Sequence, residues 1–311
     1  MMNLVMPCGF LIINKVAGCS SHQCVDRIRQ VYKLKRVGHG GTLDPDATGV
    51  LTVGIGPATR LLPYLPQKKS YTGEIQLGQV TTTDDLRGEI ISNATVPQLN
   101  VYEIQKVLSK FIGVIQQQPP QISAVHVNGE RSYIRARRGE NVITPTKVIR
   151  IYGLDLKHWE QHTGRLRINI SCSSGTYIRS LARDIGKALG CGGCLSWLQR
   201  TEAQGFHLDH AVFLDTLTKG ILPKLVTPTQ ALQHLSPYDL TEDEYRAWKS
   251  GRTFPFLVQH AKINHVYRRS QDNDMKFYLD LMIIAPNDEM AGIAFMKDDI
   301  VHPKIVLSPG K

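Results

Sequence analysis

The sequence predicts an α+β protein, on three observations. Runs at strand period and runs at helical period are interspersed through residues 10–200. From residue 237 onward the pattern changes to one short helix followed by strand-like runs. The charge changes at the same place. Residues 238–311 carry ten Lys and Arg against eleven Asp and Glu, whereas residues 1–237 carry 27 against 16. A chain of 311 residues is also long enough for about two domains.

In order, Phe10-Leu-Ile-Ile-Asn14 is a short apolar run and reads as a buried strand. Ser20 or Ser21 then caps a helix over 22–32, where Val25, Ile28 and Val31 recur at helical spacing. Val50 to Ile55 is strand-like, and Pro57 stands near the start of a following helix. Lys69 to Gly78 alternates as a half-buried strand, followed by a polar loop over 81–89. Tyr102 to Phe111 places Ile104, Val107, Leu108 and Phe111 on one helical side. Pro119 and Pro120 break the chain. If the next segment is helical, Arg131, Arg135 and Arg138 share a face around Tyr133. Arg165 to Ile170 alternates as a strand. In the last part, Leu240 to Gly251 reads as a capped helix, and Tyr278 to Ala285, Ala291 to Met296 and Lys304 to Leu307 as strands.

Composition narrows the function. A hydrophobic content of 42% allows a sizeable core. The apolar run at Leu4 to Ile13 is interrupted by Pro7 and Gly9 and has no basic residue before it, unlike a signal peptide. No run reaches the roughly eighteen apolar residues that a membrane span needs. A cytoplasmic protein is expected. The six cysteines are too sparse for a disulfide framework, and the single pair Cys191-Gly-Gly-Cys194 lacks the second pair of a structural zinc site. The net charge of +10 lies wholly in the first part and points to a polyanionic partner, nucleic acid above all.

The stretch Gly38-His39-Gly40-Gly41-Thr42-Leu43-Asp44-Pro45-Asp46-Ala47-Thr48-Gly49-Val50-Leu51 holds four glycines within twelve residues. Asp44 precedes Pro45, which drives it out of the helical region and displays its carboxylate on a loop. This stretch resembles the signature of the tRNA pseudouridine synthase B family, whose members isomerise uridine in the T loop of tRNA, at position 55. Ser171-Cys172-Ser173-Ser174-Gly175-Thr176-Tyr177-Ile178-Arg179 resembles a second signature, and Lys69 to Glu89 a third. The resemblance covers roughly residues 8–235. It departs at Val16, Gly40, Arg87, Cys194 and Gln199, where the family often has Pro, Thr, Asp, His and Arg.

The resemblance implies a mixed, largely antiparallel sheet flanked by helices, with the catalytic domain over 1–236 and a small C-terminal β-rich domain over 237–311, where family members often carry a PUA-like RNA-binding module. It implies a thumb insertion over about 119–147. Asp44 maps onto the catalytic aspartate. Tyr71, Tyr177, Arg179 and Leu198 map onto substrate-binding positions, Arg179 pairing with Asp44 or its surroundings, and His39 helps open the RNA loop. Asp85 matches an acidic residue that approaches the arginine. Arg131, Tyr133, Arg135, Arg137 and Arg138 of the thumb are expected to touch RNA. The implied partner is the tRNA T stem-loop, bound by a monomer.

The implied reaction breaks the N1–C1′ bond of uridine, turns the base and rejoins it through C5. It moves no electrons or phosphoryl groups, so no cofactor and no metal are expected. The target base must first be flipped out, at a cost of a few kcal/mol. Asp44 could attack the sugar, add to the base or take a proton from C2′. Two other classes fit parts of the sequence. A tRNA-folding chaperone would need the basic surface but not Asp44. A retaining glycosidase would need a second carboxylate about 5–5.5 Å away, with Asp46 nearest in sequence.

Overall fold

The computed structural model describes residues 6–123, 125–127, 129–140, 142–217, 222–262 and 279–307, with only the backbone of Ala136 and Arg137. In chain order its strands are β1 (Gly9–Lys15), β2 (Val37–His39), β3 (Thr48–Ile55) and β4 (Lys69–Leu77), then the hairpin β5 (Gln79–Thr81) and β6 (Ile90–Asn93). β7 (Gly113–Gln117) precedes a second hairpin, β8 (His126–Val127) and β9 (Glu130–Arg131). There follow β10 (Lys147–Glu160), β11 (Arg165–Cys172), β12 (Gly193–Ala203), β13 (Phe206–His207) and β14 (Val212–Phe213). Ten of these make one sheet in the order β14-β1-β3-β12-β4-β11-β10-β7, with β13 on β12 and β2 on β3. The described pairs in it are antiparallel except β1–β14 and β3–β12. The sheet is therefore mixed and largely antiparallel, flanked by helices.

Alternation along β4 sets the two faces. Tyr71, Ile75 and Leu77 point into the core, while Thr72, Glu74 and Gln76 are half-buried on the other side. Helix α2 (Val101–Ser109) and helix α4 (Ile178–Ala188) cover the apolar face with Ile104, Leu108, Leu181 and Ile185. Each such side chain contributes about 1.5–3 kcal/mol through its removal from water. Helix α1 (Ser21–Tyr32) packs Val25 and Ile28 onto Leu11, Ile13, Leu51 and Val53. Ser20 and Gln23 form its capping box, which fixes where it begins. Between β7 and β10 lies a short helix, α3 (Ser132–Arg137), on the β8–β9 hairpin.

After the four-residue helix α5 (Pro228–Ala231) a second sheet begins. It takes β15 (Ser236–Asp239), β16 (Phe254–Pro255), β17 (Leu279–Ile284), β18 (Met290–Lys297) and β19 (Ile300–Val306), in the order β15-β17-β18-β19-β16. Helix α6 (Glu242–Lys249) buries Trp248 against it, the indole N–H donating to Ala291 O at 3.0 Å. Of the expected strands, the first starts at Leu279, since Tyr278 lies outside the described residues. The last begins earlier than its apolar core suggests, at Ile300. The second sheet has its own core around Tyr238 and Trp248. Its Met282, Ile284, Ile293 and Ile305, with Leu307 just after it, also join Phe10, Ile12, Leu61 and Leu62 of the first part in one apolar cluster. Arg60 adds a bond to Val306 O at 3.0 Å.

Candidate active site

The loop over residues 40–47 leaves the sheet where β3 changes partners. β3 pairs β2 at Val53 to Ile55 and β12 at Thr48 and Gly49. Asp44 stands in this opening, its side chain 49% exposed. Its neighbours are held on both sides by the start of α1. Leu43 N donates to Ser21 Oγ at 2.9 Å, and Ser21 Oγ donates to Leu43 O at 3.0 Å. Pro45 O accepts from Lys15 Nζ at 2.8 Å and from Gly18 N at 3.0 Å. Lys15 also donates to Val16 O at 3.0 Å and Cys19 O at 2.6 Å, three carbonyls standing in for a counter-ion. Burial pushes its amine below the usual lysine range, against the pull of Cys24, Cys19 and Asp44.

Arg200 of β12 holds the loop from below. It is 1% exposed. Its guanidinium donates to Val50 O at 2.7 Å, Thr42 O at 3.3 Å and Gly41 O at 3.1 Å. The β3–β12 contact beside it requires Gly49, which has φ +102° and would carry a Cβ 2.1 Å from Arg200 O.

Arg179, near the start of α4, joins three loops. Its Nε lies 3.0 Å from Asp44 Oδ2 and its Nη1 3.5 Å from Asp85 Oδ2, with the side chain 9% exposed. Nη1 also donates to Thr83 O at 3.1 Å, and Nη2 to Ile122 O at 3.1 Å. The loop over 81–89 is itself tied down: Asp85 Oδ1 accepts from Thr83 Oγ1 at 2.6 Å and from Arg87 N at 3.0 Å. Arg183 adds an ion pair to Asp84 at 2.9 Å and a bond to Gln118 O at 3.0 Å. The Arg87 side chain pairs with Asp46 on the Asp44 loop. Asp44, Asp85 and Arg179 together leave one formal negative charge in excess, on a loop whose Asp44 side chain is half exposed.

Tyr71 of β4 and Leu198 of β12 are both buried in one apolar cluster with Leu43, the residue before Asp44, and Leu198 packs against Gly73. Burial raises the Tyr71 phenol, with Arg200 opposing and Asp44 adding to the rise. Tyr177 is the N-cap of α4, fixed by Gln117, whose Oε1 accepts from Tyr177 N at 2.8 Å. Burial raises its phenol too, and Asp44 and Arg179 act on it with opposite sign. His39 ends β2 with Nδ1 buried and without a hydrogen-bond partner. Desolvation, then Arg200, His22 and Lys69, push its imidazole down, so it is neutral near pH 7. Burial and the neighbouring Arg200 push Lys69 down to about 8.

Thus Arg179 touches Asp44, Asp44 acts on the phenols of Tyr71 and Tyr177, Leu198 shares an apolar cluster with Tyr71, and His39 ends the strand that leads into the loop. Sequence reasoning passed over Arg200, Lys15 and Lys69. Arg200 occupies an inward position of an alternating strand, where a charged residue hides the strand pattern and its own role.

The thumb differs from expectation. Arg131 lies on β9, paired with His126, so it does not share a helical face with Arg135 and Arg138. The cause is Ser132, whose buried hydroxyl donates to Ser123 O at 2.8 Å and whose N–H donates to Val125 O at 2.7 Å, starting α3 one residue later. Arg135 and Arg138 are not free cations either. Arg135 pairs with Glu140 at 2.6 Å, and Arg138 pairs with Glu130. Tyr133 is half-buried in α3. The Arg137 side chain lies outside the described residues.

Residues 29–178 match the model for the TruB family pseudouridylate synthase N-terminal domain, and residues 179–239 that for the tRNA pseudouridylate synthase B C-terminal domain. The chain is 47% identical to the tRNA pseudouridine synthase B of Prochlorococcus marinus (strain MIT 9313), over 98% of this chain and 99% of the relative. It is 48% identical to that of Parasynechococcus marenigrum (strain WH8102), over 96% and 97%. Its fold matches a chain of an H/ACA RNP bound to a substrate RNA containing 2′-deoxyuridine, with TM-score 0.69, 22% identity, and coverage of 97% and 85%. A carboxylate loop clamped by an arginine-bearing helix, on a fold and a sequence matched along nearly their whole length, leads to one assignment: this chain belongs to the TruB family of pseudouridylate synthases.

Proposed function

We propose that the chain converts uridine to pseudouridine in tRNA, acting at position 55 of the T loop in the cytoplasm, with Asp44 as the reacting carboxylate. The relatives named above act on tRNA, and the basic excess over 1–237 suits that polyanion. The observation that carries the reading is the 3.0 Å contact of Arg179 with Asp44, in a loop pinned on both sides. The reaction needs one carboxylate held at the sugar or base, and the Arg179 contact fixes where the Asp44 carboxylate stands. A hydroxyl-free nucleophile and a flat wall then suffice: Tyr71 and Leu198 sandwich the flipped base, and Asp44 meets it.

The bond changes balance without a further reactant. The N1–C1′ bond breaks, a C5–C1′ bond forms, the C5 proton leaves and N1 gains a proton. The glycosidase alternative is weakened because Asp46 pairs with Arg87. An unmodified tRNA transcript incubated with the purified chain tests the reading. Pseudouridine mapped by chemical labelling is expected at the single T-loop position. A modified base elsewhere, or none, would contradict it.

A further inference from the structure

Residues 19–24 carry a feature the isomerisation does not use. Ser20 is the N-cap of α1, Cys19 precedes it and Cys24 lies one turn into the helix. These are the two positions at which apolar side chains often clamp a helix start. Here both are thiols, and their sulfurs are 3.5 Å apart. Cys24 is buried and Cys19 is half-buried, so one member of the pair meets solvent. A disulfide bond is about 2.05 Å long, so closure needs an approach of about 1.5 Å.

The location gives that approach a consequence. The same turn brackets Asp44. Ser21 binds Leu43, while Gly18 N and Lys15 bind Pro45. Lys15 also donates to the carbonyl of Cys19 itself, at 2.6 Å. A displacement of Cys19 is therefore passed through Lys15 to the residue that follows Asp44.

We propose that Cys19 and Cys24 form a redox-modification site, at which a peroxide closes the pair into a disulfide that draws the turn away from the Asp44 loop and slows turnover. Burial pushes the Cys24 thiol up to about 12, so the first attack belongs to Cys19. The Cys19 thiolate attacks one peroxide oxygen, the O–O bond breaks, and the other oxygen leaves as water after protonation. The Cys24 sulfur then attacks the resulting sulfenic sulfur. The S–S bond forms, the S–O bond breaks, and a second water carries off the Cys24 proton. Two thiols are oxidised and one peroxide is reduced to two waters.

The test uses the full chain. Residues 16–27 lie between Lys15 and Arg27, so one tryptic peptide holds both cysteines and no other. After treatment with hydrogen peroxide, this peptide is expected to lose two hydrogens and resist alkylation, and dithiothreitol is expected to reverse both. The initial rate on tRNA should fall several-fold with unchanged affinity and recover on reduction. The variants Cys19→Ser and Cys24→Ser, each compared with its own untreated rate, should resist peroxide. A fully alkylated peptide after treatment would overturn the site. A disulfide without loss of rate, or equal loss in the serine variants, would overturn its coupling to Asp44. The rate measurements rest on the isomerase reading, whereas the peptide measurement does not, so a chain inactive on tRNA would still leave the site decided.

Discussion

At the scale of single residues, the site is organised by cations held in unusual places. Arg179 gives each of its nitrogens a different loop to hold, and a lysine cannot, because an ammonium offers one point where the guanidinium offers a planar fork. Arg179→Lys should lower kcat by about 10–100-fold, the equivalent of about 1.4–2.7 kcal/mol of lost transition-state stabilisation. A steady-state assay that returned the parent kcat would remove Arg179 from that role. Lys69 makes a thermodynamic prediction. Its folded value of about 8 lies below its reference of 10.5. Below pH 8 the amine is charged in both states, and the folded chain bears the cost of burying that charge. Between pH 8 and 10.5 the unfolded chain holds the proton longer, so this contribution to stability rises with pH. Lys69→Met should therefore be more stable than the parent at pH 7, by on the order of 1–3 kcal/mol, and the gap should narrow toward pH 10. Thermal melts across that range check it, and a gap that widened with pH would reverse the sign.

At the scale of elements, what was legible depended on whether local pattern and tertiary contact agree. α1, α2, β4 and β11 are amphipathic along their length, and their periodicity marks them. The Gly-rich loop and the turn into α4 are marked by residue order, which also reveals Asp44 and Arg179. β10 and β12 carried no such mark. β12 buries Arg200 where the pattern wants an apolar residue, because its charge is met by two carbonyls of the Gly-rich loop and one of β3, some 150 residues away in sequence. No window on the sequence shows that contact. In the thumb the pairs are local, Arg135 with Glu140 and Arg138 with Glu130, and residue order alone does not fix which arginine meets which glutamate. This changes the expected salt dependence of RNA binding. Each phosphate neutralised on a single strand contributes about −0.7 to the slope of log affinity against log salt. Arg131→Gln should flatten the slope by about that amount, and Arg135→Gln with Arg138→Gln by less, since their charges are already paired within the thumb. Titrations at several salt concentrations decide it, and a larger effect from the paired arginines would mean those pairs open on binding.

At the scale of the whole molecule, the two sheets share apolar packing. Four apolar side chains of the second sheet, with Leu307 just after it, share a cluster with β1 and the segment after β3. Each contributes about 1.5–3 kcal/mol on leaving water. Deleting residues 238–311 should therefore lower the melting temperature of what remains and favour aggregation, before any question of RNA contact arises. A truncated chain that melted with the full-length one would show the cluster to be unimportant. The same cluster includes Val50 of β3, the strand that follows the Asp44 loop. The central claim is that Asp44, clamped by Arg179 and the start of α1, carries out the isomerisation. Its most direct test is tritium release from a T stem-loop labelled at C5 of uridine, under single turnover, with the parent and with Asp44→Asn, alongside RNA binding. Asp44→Asn should bind the RNA and release no tritium above background; release at the parent rate would contradict the account.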